Sequence, residues 1–113
     1  MKIGVIGSGA LGRVMATAFL KEGHQVTLGS RNTNKDEVVK WLAENPGGQA
    51  GDFAATASFG ELLVLATKGS VTMNAIELSG KQNLAGKVII DATNPIAEKP
   101  PVNGVLSFFT TTE

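Results

Sequence analysis

A glycine-rich turn near the start of the chain has the spacing needed to bind a phosphate. Residues 7–12 read Gly-Ser-Gly-Ala-Leu-Gly, a G-x-G-x-x-G pattern, and they follow an apolar run of strand length at residues 3–6. The residues from 13 to 21 then have the apolar period of a helix. A glycine turn between a strand and a helix is the context that dinucleotide binding requires.

Each glycine of this turn has a separate physical role. Gly7 permits the tight bend, Gly9 presents no side chain to a pyrophosphate, and Gly12 allows the helix to pack closely on the strand. The backbone N–H groups at the start of the helix would then bind the phosphates without a charged side chain. The predicted phosphate-binding residues are Gly7, Ser8, Gly9, Ala10, Leu11 and Gly12.

A second polar group follows the next predicted strand, about 20 residues past the turn, where NAD-binding units carry an acidic residue for the ribose 2′-hydroxyl. Here the chain reads Gly-Ser-Arg-Asn at residues 29–32 and has no carboxylate. Ser30 and Arg31 offer donors suited to a 2′-phosphate, and a phosphate would also favour Lys35 at the start of the next helix. We therefore predict NADP(H) as the cofactor, bound by Ser30, Arg31, Asn32 and Lys35. The alternative is that these residues form an ordinary solvated loop.

Two further loops would line the same crevice, because ligands of open α/β sheets lie across the carboxyl ends of the strands. The residues predicted there, at the nicotinamide end, are Ala66, Thr67, Lys68, Asn94 and Pro95. Asp91 is expected to brace its loop through backbone hydrogen bonds. The sequence contains no pairing of a nucleophile with a base, so no catalytic residue is assigned. Hydride transfer tolerates this absence, since the cofactor carries the chemistry and the protein orients it.

Composition narrows the class of protein. The chain has 113 residues, of which 42% are apolar and 5% aromatic, and its formal net charge is zero. This balance gives no support to a nucleic-acid partner, and no apolar run approaches the roughly 20 residues of a membrane span. Cysteine is absent and histidine occurs once, which excludes disulfides and a histidine-rich metal site and fits a cytoplasmic protein. We predict no metal and a small-molecule partner.

The alternation of strand and helix patterns predicts an α/β fold. Strands are expected at residues 2–6, 25–29, 61–66 and 87–91, with a short third strand near residues 53–56. They would form a Rossmann-type, doubly wound parallel sheet of order 3-2-1-4-5 in three α/β/α layers.

The helices between these strands are marked by caps and apolar stripes. Asn34 and Glu37 resemble a capping box that opens the second helix, in which Trp41 belongs to the core. Ser70 would cap a helix at residues 71–78, and residues 80–86 would break it.

The end of the chain differs from the rest. Past residue 95 there is no helical period, and Thr110 and Glu113 form a capping box for a helix that the sequence does not contain. We therefore expect residues 1–113 to form a single NADP-binding domain, the N-terminal part of a longer protein.

Four stretches together resemble the NADP-dependent reductases of coenzyme F420. They are the glycine turn at 7–12, the Gly-Ser-Arg-Asn turn at 29–32, the strand at 63–66 and the segment Gly-Lys-Val-Ile-Ile-Asp-Ala-Thr-Asn-Pro at 86–95. The same module is similar to the cytoplasmic domain of the six-transmembrane metalloreductases.

The resemblance implies hydride transfer between NADPH and a deazaflavin or flavin-like acceptor, such as coenzyme F420 or a flavin. It implies that Ser30, Arg31 and Lys35 hold the 2′-phosphate, and that the loop at 67–69 lies by the nicotinamide. Members of the family continue into a C-terminal portion that completes the acceptor pocket and a homodimer, and this chain ends before it.

Two other functions remain open at this point. One is an NADP-dependent dehydrogenase or imine reductase of the 6-phosphogluconate or pyrroline-carboxylate type, which shares the glycine turn. The other is a non-catalytic module that senses NADP(H).

Overall fold

The computed structural model describes residues 1–67, 69–92 and 108–110. Strands and helices alternate along the chain, as the apolar patterns predict. In chain order the elements are β1 (Lys2–Ile6), α1 (Ala10–Lys21), β2 (Gln25–Gly29), α2 (Asp36–Glu44), β3 (Gln49–Gly51), α3 (Phe53–Phe59), β4 (Leu62–Leu65), α4 (Gly69–Ser79), α5 (Lys81–Leu84), β5 (Val88–Asp91) and β6 (Phe108–Thr110).

The strands form one sheet of order β3-β2-β1-β4-β5-β6. The first five are parallel, with Val5 of β1 opposite Leu28 of β2 and Val64 of β4. This confirms the Rossmann-type order 3-2-1-4-5. β6 adds an antiparallel edge strand, in which Phe109 lies opposite Ile89. The sequence does not reveal β6, because three residues are too few to show a strand period.

The two faces of the sheet carry separate apolar clusters, which produces the three predicted layers. Alternate residues of each strand point to opposite faces. One cluster joins inward residues of β1, β2 and β4 to α1 and α2, and it contains the buried Trp41 as predicted. The other joins Ile6, Leu63, Leu65 and Ile89 to α3, α4 and α5. Helices therefore cover both faces of the sheet.

The predicted position of the third strand was wrong. β3 occupies Gln49–Gly51, and the residues expected to be extended, 53–56, lie in α3. Asp52 caps this helix, since its Oδ1 accepts a hydrogen bond of 2.7 Å from the N–H of Ala55. The cap and the alanine-rich sequence that follows it favour a helix over a strand.

Three helix signals also need correction. α2 begins at Asp36 after Lys35, and neither Asn34 nor Glu37 forms the predicted capping box. Instead the N–H of Asn34 donates to Asn32 Oδ1 at 2.9 Å, a short-range turn that competes with a helix cap. Ser70 lies within α4 rather than before it, and the stretch expected to be irregular at 80–86 contains the short helix α5.

α3 approaches the sheet unusually closely because glycine lies beneath it on two strands. A Cβ added to Gly4 would lie 2.5 Å from the carbonyl oxygen of Thr56, and one added to Gly29 would lie 2.8 Å from Thr56 Oγ1. Glycine inside a strand commonly marks such an approach. Helix α3, and with it Phe53 at its first turn, is thereby held against β1 and β2.

Thr27 lies on the same face of β2 as Gly29 and is 4% exposed. Its hydroxyl oxygen is buried without a hydrogen-bond partner in the described part of the chain. A buried polar group that lacks a partner costs about 1–3 kcal/mol. We therefore expect Thr27→Val to raise the free energy of unfolding by about 1 kcal/mol. Urea denaturation followed by the fluorescence of Trp41, the one tryptophan of the sequence, measures this change.

Thr27→Ser provides the control. It keeps the hydroxyl and removes the methyl group, so it should lower the stability by about 1 kcal/mol. If Thr27→Val were as destabilising as Thr27→Ser, the hydroxyl must form a hydrogen bond, which would contradict the prediction.

Candidate dinucleotide-binding site

The glycine turn joins β1 to α1 at the carboxyl edge of the sheet. Gly7 has φ +126°, a conformation that side chains rarely adopt, and a Cβ there would lie 2.7 Å from the carbonyl oxygen of Ala66. A Cβ on Gly12 would lie 1.9 Å from the carbonyl oxygen of Gly7. A Cβ on Gly9 would meet nothing within 4 Å. The structure thus requires glycine at 7 and 12 for packing, and at 9 it leaves open space above the backbone.

The start of α1 is chemically suited to an anion. Gly9 is its N-cap residue and supplies no side chain to cap the helix, and the first turn contains no acidic residue. The first hydrogen bond of the helix runs from the N–H of Arg13 to the carbonyl oxygen of Gly9 at 3.0 Å. The N–H groups before Arg13 have no acceptor within the helix, and they carry the positive end of the helix dipole.

A cluster of hydroxyl groups lies beside the turn. Ser8 and Ser30 are 6% and 2% exposed, and their hydroxyl oxygens are 3.1 Å apart. The single proton of the Ser8 hydroxyl has two acceptors within reach, Ser30 Oγ and Glu37 Oε2, the latter at 3.0 Å. The Ser30 oxygen accepts from the N–H of Asn32 at 3.2 Å, and its hydroxyl reaches the Asn32 carbonyl oxygen at 3.1 Å. These contacts join the turn to the loop that follows β2.

The turn and this loop enclose a cleft of about 410 Å³. Its walls bring together the predicted residues of the turn, of the β2–α2 loop and of the end of β4. The lining residues are Gly7, Ser8, Gly9, Ser30, Arg31, Lys35, Glu37, Phe53, Ala66 and Thr67. Two cations and one carboxylate among them leave the cleft with a formal charge of +1.

A smaller cleft of about 210 Å³ adjoins the first. It is lined by Arg31, Asp52, Phe53, Ala54 and Leu78. Arg31 and Phe53 line both clefts. Arg31 therefore borders both clefts, of which the second is lined mainly by apolar side chains.

Most other predicted residues lie near the cleft without lining it. Leu11 is 45% exposed on α1, and the side chain of Asn32 is occupied by the turn to Asn34. Thr67, in contrast, lines the cleft, and its hydroxyl is paired at 3.0 Å with that of Thr72 in α4. Lys68, Asn94 and Pro95 lie outside the described residues.

Sequence reasoning missed two residues of the cleft. Glu37 was assigned to a helix cap, although its place two residues after Lys35 puts it on the first turn of α2, next to the β2–α2 loop. Phe53 was assigned to a strand. The Asp52 cap would have moved it to the start of a helix that packs at the same edge of the sheet.

A larger cleft, about 630 Å³, lies between α1 and α2. It is lined by residues of these two helices, which include Arg13, Lys40, Trp41 and the predicted residue Ala10 at the start of α1. Ligands of open α/β sheets bind at the carboxyl ends of the strands. The cleft of about 410 Å³ at the glycine turn is therefore the stronger candidate.

Two classes of site find no support in the described residues. No three or more His, Cys, Asp or Glu side chains are gathered there that could hold a metal ion. The described helices also include none long and apolar enough to span a membrane.

Comparisons with known proteins show a family and a shared fold. The sequence profile of the family described as NADP oxidoreductase, coenzyme F420-dependent, matches residues 2–95. The crystal structure of a protein from Arthrobacter sp. FB24, described as an F420-dependent NADP reductase, superposes with a TM-score of 0.77 at 39% identity. The superposition covers 84% of this chain and 46% of that one.

Two enzymes of other classes share the same module. An imine reductase of Streptomyces aurantiacus has a TM-score of 0.68 at 26% identity, with coverage of 80% of this chain and 31% of that one. The decarboxylating 6-phosphogluconate dehydrogenase of Escherichia coli is 31% identical over 100 residues, which are 82% of this chain and 21% of the enzyme. The chain thus spans less than half the length of each of these relatives.

Substitution of single glycines separates packing from ligand binding. We expect Gly12→Ala to destabilise the fold by about 1–3 kcal/mol or more, because the methyl group would collide with the Gly7 carbonyl. Gly9→Ala should cost less than about 1 kcal/mol, since only the N-cap preference changes. Its methyl group would instead occupy the open space above the turn and weaken NADPH binding at least about tenfold. Thermal unfolding and calorimetric titration measure the two effects.

Wild-type NADPH affinity in a folded Gly9→Ala variant would contradict the placement of the pyrophosphate at this turn.

Proposed function

Because the chain belongs to the family of coenzyme F420-dependent NADP oxidoreductases, we propose that it is the NADP(H)-binding domain of an enzyme that transfers hydride between NADPH and a deazaflavin or flavin-like acceptor. The observation that carries the proposal is the cleft at the glycine turn, where Ser30, Arg31 and Lys35 lie next to the open face above Gly9. A single compartment thus offers backbone donors for one phosphate group and side-chain donors for another.

The pyrophosphate fits the start of α1. Backbone N–H groups and the helix dipole supply its binding energy there, and the absence of a side chain at Gly9 lets the phosphates approach the backbone. The 2′-phosphate fits the β2–α2 loop, where Arg31 can bind two phosphate oxygens at once and Lys35 adds a point charge. The buried hydroxyl of Ser30 lies between these two places.

The cleft of about 210 Å³ fits the adenine ring. Phe53, Ala54 and Leu78 supply apolar surface, and Arg31 can stack its planar guanidinium on the ring while its edge contacts the 2′-phosphate. With the adenine there and the pyrophosphate at the turn, the nicotinamide would extend past Ala66 and Thr67. Lys68, Asn94 and Pro95 are proposed to complete this end.

The bound cofactor supplies a hydride from the nicotinamide, and the residues of this chain bind and orient it. Orientation of two reactants can contribute several kcal/mol to catalysis without an acid or base on the protein. An acceptor of the deazaflavin or flavin class fits this arrangement, because a flat ring can stack on the nicotinamide. We propose further that the longer protein is a cytoplasmic homodimer.

A second candidate is an imine reductase or a 6-phosphogluconate-type dehydrogenase. The similarity to the enzymes of Streptomyces aurantiacus and Escherichia coli favours it. The absorbance of NADPH, followed with the full-length protein and a deazaflavin, a flavin or a cyclic imine, separates the candidates. Turnover of the imine alone would favour the second candidate, and tight binding without any turnover would indicate a sensor.

The cofactor preference can be tested on the chain itself. NADPH at a hundred times its dissociation constant should stabilise the protein by about 2.7 kcal/mol. Arg31→Ala should weaken NADPH binding about ten- to a hundredfold, since a hydrogen bond to a charged group contributes about 1.5–3 kcal/mol. NADH, which lacks the 2′-phosphate, should lose much less affinity. Thermal shift with both cofactors measures the preference.

Lys40→Ala is the matched control for this test. It removes one positive charge from an exposed position on α2 that lines the other cleft. If Arg31→Ala weakened NADPH binding no more than Lys40→Ala does, the proposed 2′-phosphate site would be wrong.

A further inference from the structure

Glu37 introduces a carboxylate into a cleft that is proposed to bind a phosphate. The charged residues that line the cleft, among those the structure describes, are Arg31, Lys35 and Glu37. Glu37 is only partly exposed, and its Oε2, at 3.0 Å, is the charged one of the two acceptors for the hydroxyl proton of the buried Ser8, the other being Ser30 Oγ at 3.1 Å. The carboxylate is thus held toward the glycine turn rather than released to solvent.

This contact uses a donor that a phosphate would otherwise use. Ser8 is 6% exposed and lies 3.1 Å from the Ser30 hydroxyl, so both hydroxyls belong to one small group beside the 2′-phosphate position. A hydroxyl has a single proton to donate. While that proton points to Glu37, the Ser8 hydroxyl cannot donate it to a phosphate oxygen.

The charge of Glu37 also opposes the binding of a 2′-phosphate. A carboxylate and a 2′-phosphate in one cleft repel each other, and like charges placed together at a binding site weaken binding. A ribose 2′-hydroxyl carries no charge and can donate a hydrogen bond to the carboxylate. The same side chain that opposes NADPH is therefore compatible with NADH.

We infer that Glu37, through its hold on Ser8, restricts the preference of this site for NADPH over NADH. The inference rests on the proposed function, because it assigns the cleft to the ribose and 2′-phosphate of the cofactor. In the inferred state Arg31 and Lys35 attract the phosphate and Glu37 offsets part of that attraction. The site then discriminates less than its cations alone would allow.

Glu37→Gln tests the inference, with Asp36→Asn as the matched control. Both residues lie in the first turn of α2, so both variants remove one negative charge and the same favourable interaction with the helix dipole. Asp36 is exposed and does not line the cleft. Calorimetric titration with NADPH, NADH, adenosine 2′,5′-bisphosphate and ADP gives the affinities with and without the 2′-phosphate.

We expect Glu37→Gln to tighten the binding of NADPH and of adenosine 2′,5′-bisphosphate about tenfold, and to leave NADH and ADP unchanged or weaker. Asp36→Asn should change each of the four affinities less than about threefold. Equal changes in the two variants would overturn the inference, since they would reflect net charge alone. Weaker NADPH binding in Glu37→Gln would also overturn it, because Glu37 would then support the site.

The same titrations distinguish failure of the proposed function from failure of the inference. If the wild-type chain bound neither NADPH nor the bisphosphate, and Glu37→Gln bound neither as well, the cleft would not be a 2′-phosphate site and both proposals would fail. If the wild type preferred NADPH and Glu37→Gln left that preference unchanged, the inference alone would fail. Thermal unfolding of each variant without ligand verifies that it is folded before titration.

Discussion

The contact between the glycine turn and the first turn of α1 is the constraint on which the site depends. No side chain fits between Gly12 and the carbonyl of Gly7, since an added Cβ would lie 1.9 Å from that oxygen. The close contact fixes where α1 begins relative to β1. It therefore also fixes the direction of the helix dipole and of the N–H groups that face the open space above Gly9.

A second close contact on the opposite face of the sheet shapes the other wall of the site. Gly4 and Gly29 leave room for Thr56, so that α3 lies directly on β1 and β2. Phe53 is the first residue of α3. This packing therefore brings an aromatic ring to the edge of the sheet where β2 ends and Arg31 follows. The two clefts thus share a wall whose position is set by glycines inside the strands.

The sequence was sufficient to predict the order of the five parallel strands and the identity of the glycine turn, because both depend on local periods and on spacing. It failed where several weak signals competed. The segment 49–59 contains a strand of three residues and a capped helix, and its apolar pattern did not separate them. Glu37 was misread for a different reason. A capping box forms only where its first residue is the N-cap of the helix, and here the N-cap of α2 is Lys35 rather than Asn34.

The two kinds of donor in this site have different consequences for specificity. Backbone N–H groups at the start of α1 are present whatever the side chains are, and we propose that they bind the pyrophosphate, which NADH and NADPH share. The distinction between the two cofactors must come from side chains on the β2–α2 loop. Arg31 and Lys35 are exposed there and Glu37 is partly exposed, so substitutions at these positions disturb little of the core. The preference of the site can therefore change without a change of fold, whereas Gly7 and Gly12 cannot be replaced without loss of the close contacts that position α1.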